Sequence, residues 1–83
     1  MNEAEILPKV RDIIADVLDQ PDVSVGMQTT AEDVEGWDSF NHNNIVVAVE
    51  SEFHVKFHTA EIEEIRNVGE LVDLITKKLA AKK

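Results

Sequence analysis

Asp38, Ser39 and His42 are the residues of this chain whose types and spacing point to chemistry, and they fall within Gly36-Trp37-Asp38-Ser39-Phe40-Asn41-His42, near the middle of 83 residues. A hydroxyl, an imidazole one helical turn further on and a nearby carboxylate are the ingredients of a nucleophile and its base. Hydrolytic triads, however, draw their members from separate elements and need an oxyanion hole, and no third group is at hand to orient His42. The same spacing suits another use. Asp38 is a good N-cap, because its carboxylate accepts a hydrogen bond from a free N–H of the first helical turn. Ser39 then stands at the exposed start of a helix, where the positive end of the dipole and the unpaired N–H groups favour an anion such as a phosphate on the hydroxyl. Ser39 is therefore expected to be a modification site rather than a catalyst, and the protein is not expected to be an enzyme.

Composition narrows what such a site serves. A chain of this length holds one small domain, spanning residues 1–83, that buries roughly 60% of its unfolded surface. It has no cysteine, so any thiol it uses must arrive on a cofactor. Seventeen acidic residues against eight basic ones give a net charge of −9, which repels nucleic acid and anionic membrane surfaces. No apolar run approaches the ~20 residues of a membrane span, and no signal-peptide core stands at the N-terminus. A monomeric, cytoplasmic protein without membrane insertion is expected. Its acidity suits either plain solubility or docking to enzymes with basic patches. The clusters Glu32-Asp33-Glu35 and Glu61-Glu63-Glu64 lack the ligand spacing of a calcium loop, so no specific metal site is expected.

The elements that must position Ser39 read as helices. Ile6, Leu7, Val10, Ile13, Ile14, Val17 and Leu18 keep the spacing of one buried helical stripe, ending near Gln20-Pro21. The start lies between residues 2 and 7: Asn2 and Glu5 have capping-box spacing, while Pro8 fits best in a first turn. From Pro21 to Asp38 the pattern is aperiodic, an unusually long connection for so small a domain. It reads as an ordered crossover pinned by Val23, Val25 and Met27, with Thr30-Ala31-Glu32-Asp33 forming a capped turn. The second helix spans Ser39 to about Phe53. His42, Ile45, Val46, Val49 and Phe53 form its core side, and Phe40, Asn43, Asn44 and Val47 the outer one. Phe40 and Val47, apolar, outward and about two turns apart, mark a partner-docking face together with Asn43 and Asn44. Val55 and Phe57 form an extended connector packed into the core. Thr59 caps a short helix through Ile65 that buries Ile62 and Ile65. Asn67 and Glu70 open a last helix with Val68, Leu71, Val72, Ile75 and Leu79 on its stripe, and Lys77, Lys78, Lys82 and Lys83 complement its C-terminal dipole.

This layout resembles the acyl carrier proteins from about Ile6 to Leu79. The resemblance rests on Gly36 to Phe40 opening the second helix, Glu50-Ser51-Glu52-Phe53 closing it, the Val55-x-Phe57 connector, and Asn67-Val68-Gly69-Glu70-Leu71 opening the last. It implies an all-α, four-helix acyl-carrier-like bundle of three longer helices and one short one, with the long ordered loop between the first two. It further implies that Ser39 carries covalent 4′-phosphopantetheine, with Asp38 the helix cap beside the site. A separate phosphopantetheinyl transferase would load the arm from coenzyme A, using Mg²⁺. The arm's thiol would hold acyl intermediates as thioesters for acyl-transferring or condensing enzymes, with Ile45, Val46, Val49, Ile62 and Ile65 as candidate lining of an acyl-chain pocket.

Two departures qualify the likeness. Phe40 replaces the leucine usual after the serine, and Asn41-His42-Asn43-Asn44 stands where general fatty-acid carriers often place acidic residues. With Trp37 and a histidine three after the serine, the chain looks more like stand-alone carriers of specialised pathways than those of bulk fatty-acid synthesis. An aminoacyl or peptidyl carrier, and an unmodified helical adaptor binding partners through Phe40 and Val47, remain the alternatives.

Overall fold

Asn2 opens the first helix, α1 (Glu3–Leu18), in a computed structural model that describes residues 2–81. Its side chain accepts from the Glu5 N–H at 3.1 Å, and the Glu5 carboxylate accepts from the Asn2 N–H at 3.3 Å, completing the capping box. Pro8 is thus the sixth helical residue rather than a first-turn one. The carbonyl of Ala4 loses its i+4 donor there, but Ala4 and Pro8 are both exposed, so the carbonyl is open to solvent. The helix closes one residue earlier than Gln20, with Asp19 in the left-handed region (φ 55°) and the Gln20 N–H bonded to the Ala15 carbonyl at 2.9 Å.

Helix α2 (Ser39–Phe53) ends the same way: His54 takes φ 56° and the Val55 N–H reaches the Glu50 carbonyl at 3.1 Å. A short helix, α3 (Thr59–Glu63), and a longer one, α4 (Val68–Ala81), complete an all-α bundle with no strand among the described residues. Helix α1 packs against both α2 and α4. Ile6, Val10 and Ile14 of α1 meet Ile45, Val46, Val49 and Phe53 of α2 and Val68, Leu71, Val72 and Ile75 of α4 in one apolar core. Leu7, Ile13, Val17, Leu18 and Leu79 only flank it. Val55 and Phe57 are buried as expected, and the Glu50 carboxylate accepts from the Phe57 N–H at 2.8 Å, fixing the connector onto α2. Of the lysines expected at the C-terminal dipole, Lys82 and Lys83 lie outside the described residues; Lys77 pairs with Asp73 at 3.3 Å and Lys78 with Glu61 at 3.0 Å.

The loop between α1 and α2 is held by more than the three expected side chains. Val23, Val25 and Met27 pack half-buried against the core as expected, and Val34 and Trp37 enter it. Backbone bonds pin the loop as well. The N–H groups of Val68 and Gly69, the first two of α4, donate to the carbonyls of Thr29 (2.8 Å) and Met27 (2.7 Å). These are helix-start donors that have no partner inside their own helix, so the loop caps α4 while α4 holds the loop. Gly69 permits the approach, since a Cβ there would lie 2.6 Å from the Met27 carbonyl oxygen. Arg11 fastens the loop's other end, donating to the Val23 carbonyl at 3.1 Å and to the Pro21 carbonyl. The expected turn forms as a 3₁₀ helix, Ala31–Asp33, closed by the Asp33 carboxylate on the Thr30 N–H at 3.0 Å.

Two short-range readings are corrected in the second half of the chain. The cap of α3 is His58, not Thr59, because Glu61 reaches back to the His58 N–H at 2.8 Å, and the helix stops at Glu63 rather than Ile65. Ile62 and Ile65 consequently end half-buried against the edge of the core. At α4 the Asn67 side chain accepts from the Glu70 N–H at 2.8 Å as a cap should, while Glu70 answers the Arg66 N–H at 3.2 Å instead of that of Asn67.

Candidate functional site

The start of α2 is built by three consecutive devices. Gly36 adopts φ 88°, which favours glycine, and its carbonyl accepts from the Asn41 side-chain amide at 2.7 Å and from the Asp38 N–H at 3.1 Å. Trp37 drops its ring into the core, and its indole N–H donates to Nδ1 of His42 at 3.2 Å, the two rings stacking with centroids 6.1 Å apart. Asp38 then caps α2 by accepting from the Asn41 N–H at 2.8 Å. A cap of this kind contributes about 1 kcal/mol to the helix.

Ser39, the first residue of α2, is exposed, and its hydroxyl makes no hydrogen bond among the described residues. The N–H groups of Ser39 and Phe40 precede the first intrahelical bond and are the donors Asp38 leaves over. Beside Ser39 opens a cleft of about 770 Å³. Its apolar lining includes Ala31, Trp37, Ile62 and Ile65, and its polar lining His42, Asn43, Thr59, Glu63, Arg66 and Asn67. Of the residues considered for an acyl chain, Ile62 and Ile65 border this cleft. Ile45, Val46 and Val49 do not; they are sealed in the core between α1 and α4 contacts, with at most 2% of their surface exposed. His42, read as a core residue, is half-buried at the cleft's edge and hydrogen-bonded to Trp37.

On the outer side of α2, Phe40 is 74% and Val47 62% exposed, the two large apolar side chains most open to solvent among the described residues. Asn43 and Asn44 between them are exposed too. No carboxylate stands on α2 before Glu50, whose own oxygen is engaged by the Phe57 N–H. His54 and His58 are exposed, away from this cleft's lining. No polar or charged residue is buried among the described residues. No helix among them is long and apolar enough to cross a membrane.

Sequence reasoning missed three parts of this site. Trp37 was legible as an anchor, since so large an apolar ring in an otherwise polar loop has to be covered. Arg66 and Gly69 carried no local signal beyond a charge in a turn and a glycine in a first helical turn.

Comparison with known proteins bears on the same residues. Residues 8–75 match the family model described as "Phosphopantetheine attachment site". An acyl carrier protein of Thermosynechococcus vestitus is 38% identical over 82 residues, covering 98% of this chain and all of that protein. One from Thermotoga maritima is 39% identical over 75 residues, covering 90% of this chain and 93% of its own. The solution structure of holo acyl carrier protein from Geobacter metallireducens superposes with a TM-score of 0.85 at 37% identity, covering 92% of this chain and 87% of that one. With a family model spanning most of its length and relatives of this identity aligned nearly end to end, the chain belongs to the acyl carrier protein family, whose prosthetic group is covalent 4′-phosphopantetheine.

Proposed function

We propose that Ser39 is the attachment residue, and that the chain serves a dedicated acyl-transfer pathway rather than general fatty-acid synthesis. The observation that carries the first part is the geometry of Ser39: a free hydroxyl on an exposed helix start, capped by Asp38 and opening onto a cleft of mixed polarity. These residues fit the group. The leading N–H groups and the α2 dipole favour a phosphodiester on Ser39. An arm with both amides and methylenes meets polar Asn43, Thr59 and Asn67 and apolar Ile62 and Ile65 in the lining of the cleft. When bound, the arm supplies the thiol that this cysteine-free chain lacks, and with it thioester carriage of acyl groups.

Asp38 has a positioning role. By occupying the Asn41 N–H it fixes where α2 begins, and so which hydroxyl is presented to a phosphopantetheinyl transferase. The cleft, through Ile62 and Ile65, shelters the first part of a cargo; Ile45, Val46 and Val49 join its lining only if α2 and α3 part.

The second part rests on the outer side of α2. Partner enzymes that read carriers through basic patches find no carboxylate there, whereas Phe40 and Val47 offer about two turns of apolar contact. Acyl-transferring or condensing enzymes with an apolar docking surface are the partners that fit.

Intact mass after incubation with a transferase, coenzyme A and Mg²⁺ tests the reading directly. The expected gain is one phosphopantetheine group in the native chain and none in Ser39→Ala, with both proteins folded. Loading that persists in Ser39→Ala transfers the site to another hydroxyl, Ser24 and Ser51 being the internal controls. A chain that is folded and never loaded is an adaptor instead. Mass analysis of the protein from its source then identifies the cargo, acyl or aminoacyl.

A further inference from the structure

We propose that Arg66 and His42 form an anion-receiving pair in the cleft beside Ser39, holding an anionic oxygen group borne on the arm; this rests on Ser39 being the attachment residue. Two independent observations point to it. The first is the tautomer of His42. An indole N–H can only donate, so Nδ1 of His42, which receives the Trp37 bond at 3.2 Å, is the unprotonated nitrogen and the ring proton sits on Nε2. Trp37 is itself buried in the core and cannot turn away, so His42 is held at the cleft's edge as a donor.

The second is the state of Arg66. The chain has seventeen carboxylates, yet the Arg66 guanidinium makes no ion pair or hydrogen bond among the described residues. The other arginine, Arg11, is committed to two loop carbonyls and Asp12. Arg66 follows α3 and borders the cleft, where it is the single guanidinium or ammonium group. Its planar fork suits two oxygens of a carboxylate or phosphate. The carboxylates bordering the same cleft are Asp38, one oxygen of which accepts from the Asn41 N–H, and Glu63, which has no partner among the described residues; both oppose an incoming anion. The preference of the cleft is therefore a balance between Arg66 and these two carboxylates, which gives Arg66 and Glu63 opposite signs in a test.

The anionic oxygens have two possible sources with one chemistry: the phosphodiester of the arm, or a carboxylate at the far end of the cargo. Full-length ¹⁵N-labelled protein is prepared in apo form and loaded by a transferase from coenzyme A, butyryl-coenzyme A or succinyl-coenzyme A, each product verified by intact mass. The Arg66 Nε–H and His42 Nε2–H resonances are then compared across the forms. Displacement already present in the holo form and unchanged by either cargo assigns the phosphodiester. Displacement that appears with succinyl but not butyryl assigns a cargo carboxylate. In both cases Arg66→Gln abolishes the His42 displacement, Arg66→Lys retains part of it, and Glu63→Gln enlarges it. Loaded protein in which neither resonance moves overturns the proposal while leaving Ser39 as the attachment residue, and so does a result in which Arg66→Gln and Glu63→Gln act in the same direction. Wild-type protein that does not load at all overturns both.

Discussion

Replacing Gly69 by alanine runs against ordinary helix propensity, and the structure gives its size. In an unconstrained helix the exchange gains about 1 kcal/mol, because alanine restricts the unfolded chain and glycine does not. Here the new Cβ lies 2.6 Å from the carbonyl oxygen of Met27, a backbone atom. That carbonyl must retreat by roughly 0.8 Å to reach ordinary van der Waals contact. It is also the acceptor of the Gly69 N–H at 2.7 Å, and the adjoining bond from Val68 to Thr29 is 2.8 Å. Stretching both forfeits about 1 kcal/mol for each bond and leaves helix-start donors poorly paired, at about 1–3 kcal/mol more where they are shielded from water. Val68 is fully buried, so shielding applies. Set against the helix gain, the net expectation is a loss of about 2–4 kcal/mol, or a fall in Tm on the order of 4–8 °C for each kcal/mol in a domain of this size. Thermal and urea unfolding followed by circular dichroism measure it, and amide exchange at Val68 and Gly69 should accelerate beyond the global change. A Gly69→Ala protein as stable as the parent, or more so, would refute the claim that the loop is fastened through the start of α4.

Arg11→Met keeps the aliphatic stem of the side chain but removes the donors to Val23 and Pro21, and is expected to cost about 1–3 kcal/mol by equilibrium urea unfolding, with the loss localised to the start of the loop in amide exchange. The carboxyl of Glu61 is held below its ordinary value of 4.5 by the His58 N–H first and by Lys78 second, so its contribution is complete above pH 4.5 and fades as pH falls through the lowered value. Tm measured against pH should therefore drop on the acid side in the parent and drop less in Glu61→Gln, whereas superposable acid limbs would show that neither the His58 cap nor the Lys78 pair contributes through Glu61. Val47→Asp, at a side chain 62% exposed, should alter stability by no more than about 0.5 kcal/mol. Acyl transfer to a partner enzyme that docks on apolar contact should fall in the same variant, and an unfolded Val47→Asp would place that side chain in the core instead.

What the sequence made legible was local. The start of α2 could be read because every group involved lies within four residues of Asp38, and the same holds for the Asn2 and Asn67 caps. The stripes of α1 and α4 could be read because a helix repeats its buried positions. The loop resisted, since its fastening is made by carbonyls of Met27 and Thr29 meeting N–H groups some forty residues further on, and any residue type can supply a carbonyl. Only Gly69 hinted at it, by lacking the atom that would have prevented it. The cleft resisted for a related reason. Ile45, Val46 and Val49 share the apolar character of Ile62 and Ile65, but which of them face a cleft and which a neighbouring helix is decided by how α2 packs in the core and where the chain after α3 lies, which no local pattern records.

The position of Ser39 is more constrained than its exposure suggests. The loop that delivers it is tied to α1 by Arg11, to the end of α1 by the Gln20 side chain on the Glu35 carbonyl, to α4 through Met27 and Thr29, and to α2 by Trp37 and by Asn41 on Gly36. Loops of this length are ordinarily among the first segments to open. Here each of the other three long elements of the fold holds it at a separate point, so releasing one tether leaves Ser39 located by the others. Such redundancy suits the attachment residue proposed here for a long, many-jointed arm. An arm on Ser39 would supply reach and mobility, so the base would need neither; a partner enzyme docking on the face of α2, as proposed, would also find the hydroxyl at a fixed offset from Phe40. Rigidity at the base and freedom in the arm are thereby assigned to different parts of the molecule, and the cost of ordering falls on the backbone bonds of the loop rather than on each docking event.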